Sequence, residues 1–404
     1  MTVSEYIRLN WENTIRKPKD MKGGFTPPKP FISPSIGGLY TDLYYWDVYF
    51  TNLGLLEDGL MEQVENNLEN IAYFINELGF MPNSNLILDR SQPPFFCRAV
   101  YDYYKASKDE KVVLKFIDAI IKEYEFWQTK RKDGFGLNRY FTNGNDELKR
   151  IHYESFSKRV AEVGNNDFEK IQIGENIMAI AESGLDFNPR FKTEKSKINS
   201  TEFVQLDINC ILYDVEIKLA EMLGVVGRKE DGEIYSRKAE IRKGLINEYL
   251  YNREGSIYQD YNFKEKKFSS IVSAVSLYPY AFGVSTDKVG AEKVLKILEM
   301  EHGVSVCPYR GEDWYFQWDY PFVWAPISYL SYVAMKNVGL VDDAKRIAEK
   351  YVKTIEDNFK TTGRLWEKYN ANTGKVGVSV EYKTPEMLGW TAGVYRYFIK
   401  QLGC

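Results

Sequence analysis

The chain has 404 residues, 44% of them hydrophobic, and a net charge of −4, as expected for one large globular domain or two intimate ones. Its acidic balance and scattered Lys and Arg residues exclude a surface built to follow a nucleic-acid backbone. No apolar run approaches the length of about 18 residues that a membrane span needs, and the N-terminus lacks a signal-peptide core. The four Cys residues share no metal-type spacing and fit reduced thiols, so we expect a cytoplasmic protein.

Apolar residues recur at helical spacing along most of the chain. The steps of three and four residues over 61–78, with Gly79 as a C-terminal stop, predict a helix, and 110–128 repeats the pattern. Two short alternating segments, 305–309 and 377–382, predict strands carried by loops. The further predicted helices are 47–57, 94–107, 171–184, 203–223, 232–250, 270–282, 287–300, 322–338, 341–357 and 388–401.

About twelve helices without a sequence repeat predict an all-α toroid of six helix pairs and not a solenoid. No low-complexity linker divides the chain, so residues 1–404 are expected to form a single domain. A Pro-rich segment at 26–34 predicts an ordered N-terminal arm, over about 1–35, that leads into the first loop of the site. The loops at 131–170 and 302–320 are expected to form a lid.

The dipeptide Trp-Asp occurs twice, as Trp46-Asp47 and as Trp318-Asp319, each within a run of aromatic, Gly and Pro residues. An indole ring covers the C–H face of a sugar, and an ionised carboxylate accepts charge-assisted hydrogen bonds from its hydroxyl groups. Aromatic residues make up 15% of the chain, which fits either an aromatic-lined cleft or a generously packed helical core. The two copies together predict a wet aromatic pocket built from both halves of the chain.

Histidine is too scarce in this sequence for several common mechanisms. With only His152 and His302, the chain cannot build a multi-histidine metal site, and neither lies near a Gly-x-Ser-x-Gly turn. No dinucleotide-binding or P-loop motif follows a predicted strand. Carboxylates among aromatic residues remain, and glycoside hydrolysis needs two of them, one protonated and one ionised. The candidates are Asp47, Glu154, Glu182, Asp186, Asp319, Glu367 and Glu381.

Several sequence motifs of the chain resemble those of the trehalase family, and they occur in the same order as in the family along nearly the whole chain. LYYWDVYFTNLGLL and QWDYPFVWAP are similar to the two family signatures. The segment 70–95, which ends in DRSQPPF, resembles the family segment that ends in Asn-Arg-Ser-Gln-Pro-Pro, and AESGLDFNPRF (181–191) resembles its Glu-Ser-Gly-Trp-Asp-Phe motif. The Arg-Ser-Gln-Pro-Pro and Glu-Ser-Gly-x-Asp-Phe motifs are the most specific ones. The segment 365–394, which begins LWEKY and ends LGWTAGV, is similar to the closing region of the family.

The resemblance implies an (α/α)₆ barrel with the site at one end, and an inverting α-glycosidase of glycoside hydrolase family 37, with family 63 as the near alternative. It makes Asp186 the general acid and Glu367 the general base that activates water. The acid must stay protonated near neutral pH, which burial against aromatic residues such as Phe187 would achieve. The implied substrate-binding residues are Tyr40, Trp46, Asp47, Asn83, Arg90, Gln92, Glu154, Glu182, Gly184, Gln317, Trp318, Asp319, Trp324, Glu381 and Trp390.

The expected partner is a small soluble carbohydrate, with no cofactor, metal, nucleic acid or membrane, and the oligomeric state is left open. Positions at which this sequence departs from the family motifs bear on the identity of the carbohydrate. Leu39 and His152 stand where the family has Arg, and Phe322-Val323 replaces its Asn-Gly. We therefore expect Leu39, His152 and Phe322 to line the subsite of the leaving group, which argues against strict trehalose specificity.

Several functions stay open at this stage. The first is hydrolysis of trehalose or another small α-glucoside, and a glucosylglycerate or mannosylglycerate hydrolase is an equal alternative. A catalytically inactive sugar-binding toroid would be marked by the loss of a catalytic carboxylate, and both are kept. A sugar isomerase on a similar toroid generally needs His for proton transfer, and only two His are present.

Overall fold

The structure, a computed structural model, describes residues 1–21, 23–193, 197–312, 315–379 and 383–403. Within these residues the chain is mainly helical, and none of its helices is both long and apolar enough to cross a membrane. The helices are α1 Val3–Thr14, α2 Tyr45–Glu57, α3 Met61–Leu78, α4 Phe96–Ser107, α5 Glu110–Lys130, α6 Asp146–Phe156, α7 Asp167–Glu182, α8 Leu206–Val225, α9 Lys229–Tyr249, α10 Tyr278–Ala281, α11 Lys288–Leu298, α12 Ala325–Asn337, α13 Val341–Thr362 and α14 Gly389–Leu402.

Short antiparallel strands lie in the loops between the helices. They pair β1 with β2, β3 with β6, β6 with β7, β4 with β5, β8 with β9 and β10 with β11. Their bounds are β1 Ile15–Arg16, β2 Phe31–Ile32, β3 Phe203–Val204, β4 Tyr251–Asn252, β5 Ile257–Tyr258, β6 Tyr261–Asn262, β7 Lys267–Phe268, β8 Glu299–Met300, β9 Gly303–Val304, β10 Phe322–Trp324 and β11 Lys368–Asn370.

Six helices form a closed inner ring. Helix α2 packs on α4, α4 on α8, α8 on α10, α10 on α12, α12 on α14, and α14 returns to α2. Most of the inner helices are buried on nearly all sides, as in α2, where every residue from Tyr45 to Leu55 is buried, whereas α4 is exposed towards its C-terminal end. An outer ring of α1, α3, α5, α9, α11 and α13 packs around them. The predicted (α/α)₆ barrel is therefore confirmed.

The outer helices show the one-sided burial that their sequence pattern predicts. In α13, Ile347, Tyr351, Ile355 and Phe359 are buried at steps of four residues, while charged residues occupy the other side. A stripe of this width is typical of a helix that covers a core on one face and meets water on the other. The difference in burial between inner and outer helices thus follows from the width of the apolar face on each helix.

Two helices were missed by the sequence-based prediction, although both carry local signals. Helix α1 lies in the predicted N-terminal arm and begins with a capping box in which Thr2 and Glu5 exchange hydrogen bonds. Helix α6 lies in the predicted loop 131–170, and its N-cap Asn145 accepts from the backbone of Leu148. Helix α1 completes the outer ring beside α14, and α6 pairs with α7 outside the two rings.

The predicted strands and two helix bounds also differ from the structure. The segment 305–309 is irregular and follows β9, and the described part of 377–382 contains no strand. The helix predicted at 270–282 is reduced to a 3₁₀ turn and the short α10, where Pro279 fits the first turn but cannot donate a hydrogen bond further along. The helix predicted at 322–338 starts at Ala325 because 322–324 pair with β11.

Two glycines allow the first and last inner helices to touch. A Cβ atom on Gly54 would lie 2.7 Å from the Cα of Gly393, and a Cβ on Gly393 would overlap the backbone carbonyl of Phe50. Because the obstacle is backbone and not a movable side chain, neither position tolerates a side chain without a shift of a whole helix. This contact closes the ring.

We expect Gly393→Ala to destabilise the protein by about 1–3 kcal/mol, the usual cost of overpacking a close contact. The matched control is Gly244→Ala within α9, where an added Cβ would meet open space. That change is expected to stabilise by about 0.5–1 kcal/mol, because it removes the backbone freedom of glycine from a helix interior. Urea unfolding followed by circular dichroism measures both, and equal effects of the two changes would contradict the close-contact argument.

Candidate active site

Four tryptophans from separate parts of the chain form one cluster at an end of the barrel. Trp318 and Trp324 stack with their ring centres 3.8 Å apart and their planes inclined by 11°. The indole of Trp46, in the first turn of α2, lies 5.6 Å from that of Trp318. Trp390, in the first turn of α14, meets Trp324 edge-on at 5.7 Å. The cluster gives this end of the barrel a flat apolar wall.

Backbone hydrogen bonds bring the sequence words together. The amide of Trp318 donates to the carbonyl of Phe187 at 3.0 Å, and the side chain of Asn188 donates to the carbonyl of Trp318 at 2.7 Å. The amide of Trp46 donates to the Gln92 side chain at 3.2 Å. The loops that carry Asp186, the second Trp-Asp pair and the Arg-Ser-Gln-Pro-Pro word are thereby held around the same cavity.

Gly184 has a role that only glycine can fill. Its φ of +73° lies in the left-handed region, which disfavours a side chain. A Cβ atom there would also lie 2.9 Å from two atoms of the Trp46 indole. The absence of a side chain lets the turn after α7 pass against that ring, which brings Asp186 to the cavity.

A cavity of about 200 Å³ opens against the tryptophan cluster. This volume is below the roughly 300–1,000 Å³ of typical drug-sized sites, so the cavity suits one small ring. Most of the predicted site residues line it: Tyr40, Trp46, Asp47, Asn83, Arg90, Gln92, Gly184, Asp186, Gln317, Trp318, Trp324, Glu367 and Trp390. Four lining residues were not predicted, namely Tyr44, Ile87, Ala181 and Met387. All four lie within segments that resemble the family, and that resemblance was the available signal for them.

Three carboxyl groups meet in this cavity, on Asp47, Asp186 and Glu367. Burial raises the pKa of Asp47 well above its ordinary value, and the negative charges of Glu367 and Asp186 raise it further. Burial also raises the pKa of Asp186 to about 6, although the cations of Arg90 and Arg159 lower it. A group with this pKa is partly protonated near neutral pH, so Asp186 can supply a proton.

Glu367 has different neighbours from the other two carboxyl groups. It is 3% exposed, and its Oε2 accepts a hydrogen bond from Lys368 Nζ at 2.8 Å. Its backbone is held by Pro385, whose carbonyl accepts from the Glu367 amide, and by the Trp390 indole, which donates to the Glu367 carbonyl. The carboxylate is thus fixed in the cavity wall beside a cation.

Arg90 is a buried cation that lines the cavity. It is 8% exposed, and its guanidinium pairs with Asp89 at 2.7 Å. Asp89 in turn lies 3.4 Å from His152 Nε2. The pairing orients a buried cation whose charge reaches Asp186.

Two of the predicted sugar contacts, Glu182 and Asp319, are paired with arginines and are not among the residues that line the cavity. Glu182 is fully buried and accepts two hydrogen bonds from Arg131, at 2.7 and 2.8 Å, together with backbone amides of two loops. Asp319 is fully buried and accepts two from Arg310, at 2.8 and 2.7 Å. A carboxylate committed to a bidentate pair of this kind fixes loops in place and has little capacity left for a sugar.

Of the remaining site predictions, those that fall on described residues do not line the cavity. Glu154 is exposed on α6 and is not among the lining residues. Glu381 lies outside the described residues. None of the three positions expected around the leaving group lines the cavity: Leu39 is exposed, His152 contacts Asp89, and Phe322 is buried beneath Lys368. In the part of the chain that the structure describes, no group of three or more His, Cys, Asp or Glu side chains could hold a metal ion.

Comparison with known proteins places this geometry in a family. A sequence model of the family described as Trehalase matches residues 2–403. Neutral trehalase Nth1 from Saccharomyces cerevisiae has a similar structure, with a TM-score of 0.73 and 24% identity over 98% of this chain and 79% of that one. A GH63 mannosylglycerate hydrolase from Thermus thermophilus has a TM-score of 0.66 and 14% identity over 98% and 99% of the two chains.

At these identities the structural likenesses show the fold alone, whereas the family match extends over nearly every residue of the chain. The fold agrees with it, and so does a cavity that combines tryptophans with carboxyl groups. The chain therefore belongs to the trehalase family and is a glycoside hydrolase.

Proposed function

We propose that this glycoside hydrolase is an inverting, exo-acting enzyme that releases glucose from a small α-glucoside. The observation that carries the proposal is one cavity, of a size for a single ring, lined by both Asp186 and Glu367 and walled by tryptophan. Trp46 and Trp318 would cover an apolar face of the sugar, while Asp47 and Arg90 bind its hydroxyl groups.

The two carboxyl groups divide the chemistry between them. Asp186, with a pKa raised to about 6 by burial, gives its proton to the glycosidic oxygen as the bond to the anomeric carbon breaks. Glu367, ionised beside Lys368, takes a proton from the water that attacks the anomeric carbon from the opposite face. The product carries the inverted configuration, and the two residues end with their protonation states exchanged.

A glycosylglycerate is a second candidate for the substrate. The Arg residues that the family words place at Leu39 and His152 are missing, so the polar contacts expected for a second glucose are reduced. A site that lacks such contacts discriminates weakly in favour of a second sugar. A leaving group smaller than glucose fits this composition at least as well.

Incubation with trehalose, other α-glucosides, glucosylglycerate and mannosylglycerate tests the proposal. Proton NMR of the first product identifies both the substrate and the anomer. From trehalose we expect equal initial amounts of β- and α-glucose, because only the attacked anomeric carbon inverts and the departing glucose keeps its α configuration. From the other substrates we expect the cleaved sugar to appear first as its β-anomer. Initial release of the cleaved sugar as its α-anomer, which for trehalose means α-glucose alone, would overturn the inverting mechanism, and no turnover of any member would favour the sugar-binding alternative.

Asp186→Asn and Glu367→Gln are each expected to lower kcat by about 10²–10⁴-fold, the usual contribution of a positioned acid or base. The matched control is Glu349→Gln, which changes an exposed carboxyl group on the outer helix α13 and should leave kcat near that of the wild type. Steady-state kinetics and circular dichroism check activity and folding together. Near-normal turnover in either cavity variant contradicts the assigned roles.

The pH profile of kcat/KM should fall as pH rises through about 6, because Asp186 loses the proton that it must donate. The Arg159 cation lowers the pKa of Asp186, so Arg159→Gln is expected to move this limb to higher pH, by up to about one unit. Arg150→Gln, which removes an exposed arginine paired with Asp167, is the control and should not move it. An unchanged limb in Arg159→Gln would show that another group controls it.

A further inference from the structure

A lysine with no exposed side-chain surface lies beside the proposed general base. Lys368 Nζ donates to Glu367 Oε2 at 2.8 Å, and the two residues are neighbours in the chain. A lysine is almost never fully buried unless its charge is paired, because removing an ammonium from water costs several kcal/mol. The contact with Glu367 is therefore a close interaction of two buried opposite charges.

The surroundings of Lys368 favour its charged form and hold it in place. Strand β11 pairs with β10 so that Lys368 lies opposite Trp324. The ammonium lies 4.8 Å from the ring centre of Trp324 and 5.7 Å from that of Phe322. Aromatic faces attract a cation at these distances, and most strongly where water is excluded. The same Trp324 stacks on Trp318 in the cavity wall, so the lysine is joined to the wall of the site.

Glu367 would be a poor base without a neighbouring cation. Asp47 on α2 and Asp186 after α7 face the same cavity, and each interacts electrostatically with Glu367. Like charges at this range favour protonation, and a protonated carboxyl group cannot accept a proton from water. Among the described residues Arg90 is the cation that lines the cavity itself, and its guanidinium is paired with Asp89.

We propose that Lys368 is a positioning residue of the reaction, whose ammonium holds the Glu367 carboxylate ionised and oriented for the activation of water. The inference rests on the proposed role of Glu367. Lys368 itself transfers no proton in this scheme and does not line the cavity.

Lys368→Met removes the charge and keeps much of the length of the side chain. We expect kcat to fall about tenfold or more with KM changed less than about threefold, and the acid limb of the kcat/KM profile to move up by about one pH unit or more. The alkaline limb should stay in place. Lys368→Arg should restore the acid limb towards that of the wild type, whereas Lys368→Gln, which keeps a donor without the charge, should not.

Lys218→Met is the matched control, because it removes a partly buried lysine that pairs with Asp214 away from the cavity. A purely structural role of Lys368 would lower stability or activity at every pH and leave the acid limb unmoved, and that result would overturn the inference. If Lys368→Met does not fold, the comparison of Lys368→Gln with Lys368→Arg still separates charge from hydrogen bonding. Full activity of Glu367→Gln would instead overturn the proposed function itself.

Discussion

The close contact between α2 and α14 is the constraint on which the rest of the structure depends. These are the first and last helices of the inner ring, and Gly54 and Gly393 let their backbones touch. Because Trp46 and Asp47 lie in the first turn of α2 and Trp390 lies in the first turn of α14, the same contact sets the spacing of two cavity walls. A shift of either helix would therefore disturb both the closure of the barrel and the geometry of the site.

The electrostatics of the cavity depend on two features. Several carboxyl groups are buried close together, and cations lie beside some of them. Asp47, Asp186 and Glu367 all face one small space, and burial raises the pKa of the first two. Arg90 and Arg159 act on Asp186, whereas Lys368 contacts Glu367 directly. The proposed acid and base therefore have different cations beside them, and their proposed roles rest on that difference.

Acidic residues in the most recognisable sequence words serve two different purposes. Asp186 and Glu367 face the cavity, but Glu182 and Asp319 are bound by Arg131 and Arg310. These pairs hold loops that approach the cavity from two sides, and the carboxylates also accept hydrogen bonds from loop amides. The twin Trp-Asp pairs are therefore not equivalent: the first places its carboxyl group in the cavity, and the second uses it to hold the loop that carries Trp318.

The sequence by itself determined the helical architecture, the family and most of the cavity lining, because helix periodicity and recognisable words are local properties of the chain. It also contained the N-cap residues of α1 and α6, which are local signals from which both helices could have been predicted. Only the tertiary structure decided which acids face the cavity, since Glu182 meets an arginine 51 residues away. It alone placed α1 beside α14 and Lys368 against Trp324, because contacts between distant segments depend on how the ring closes.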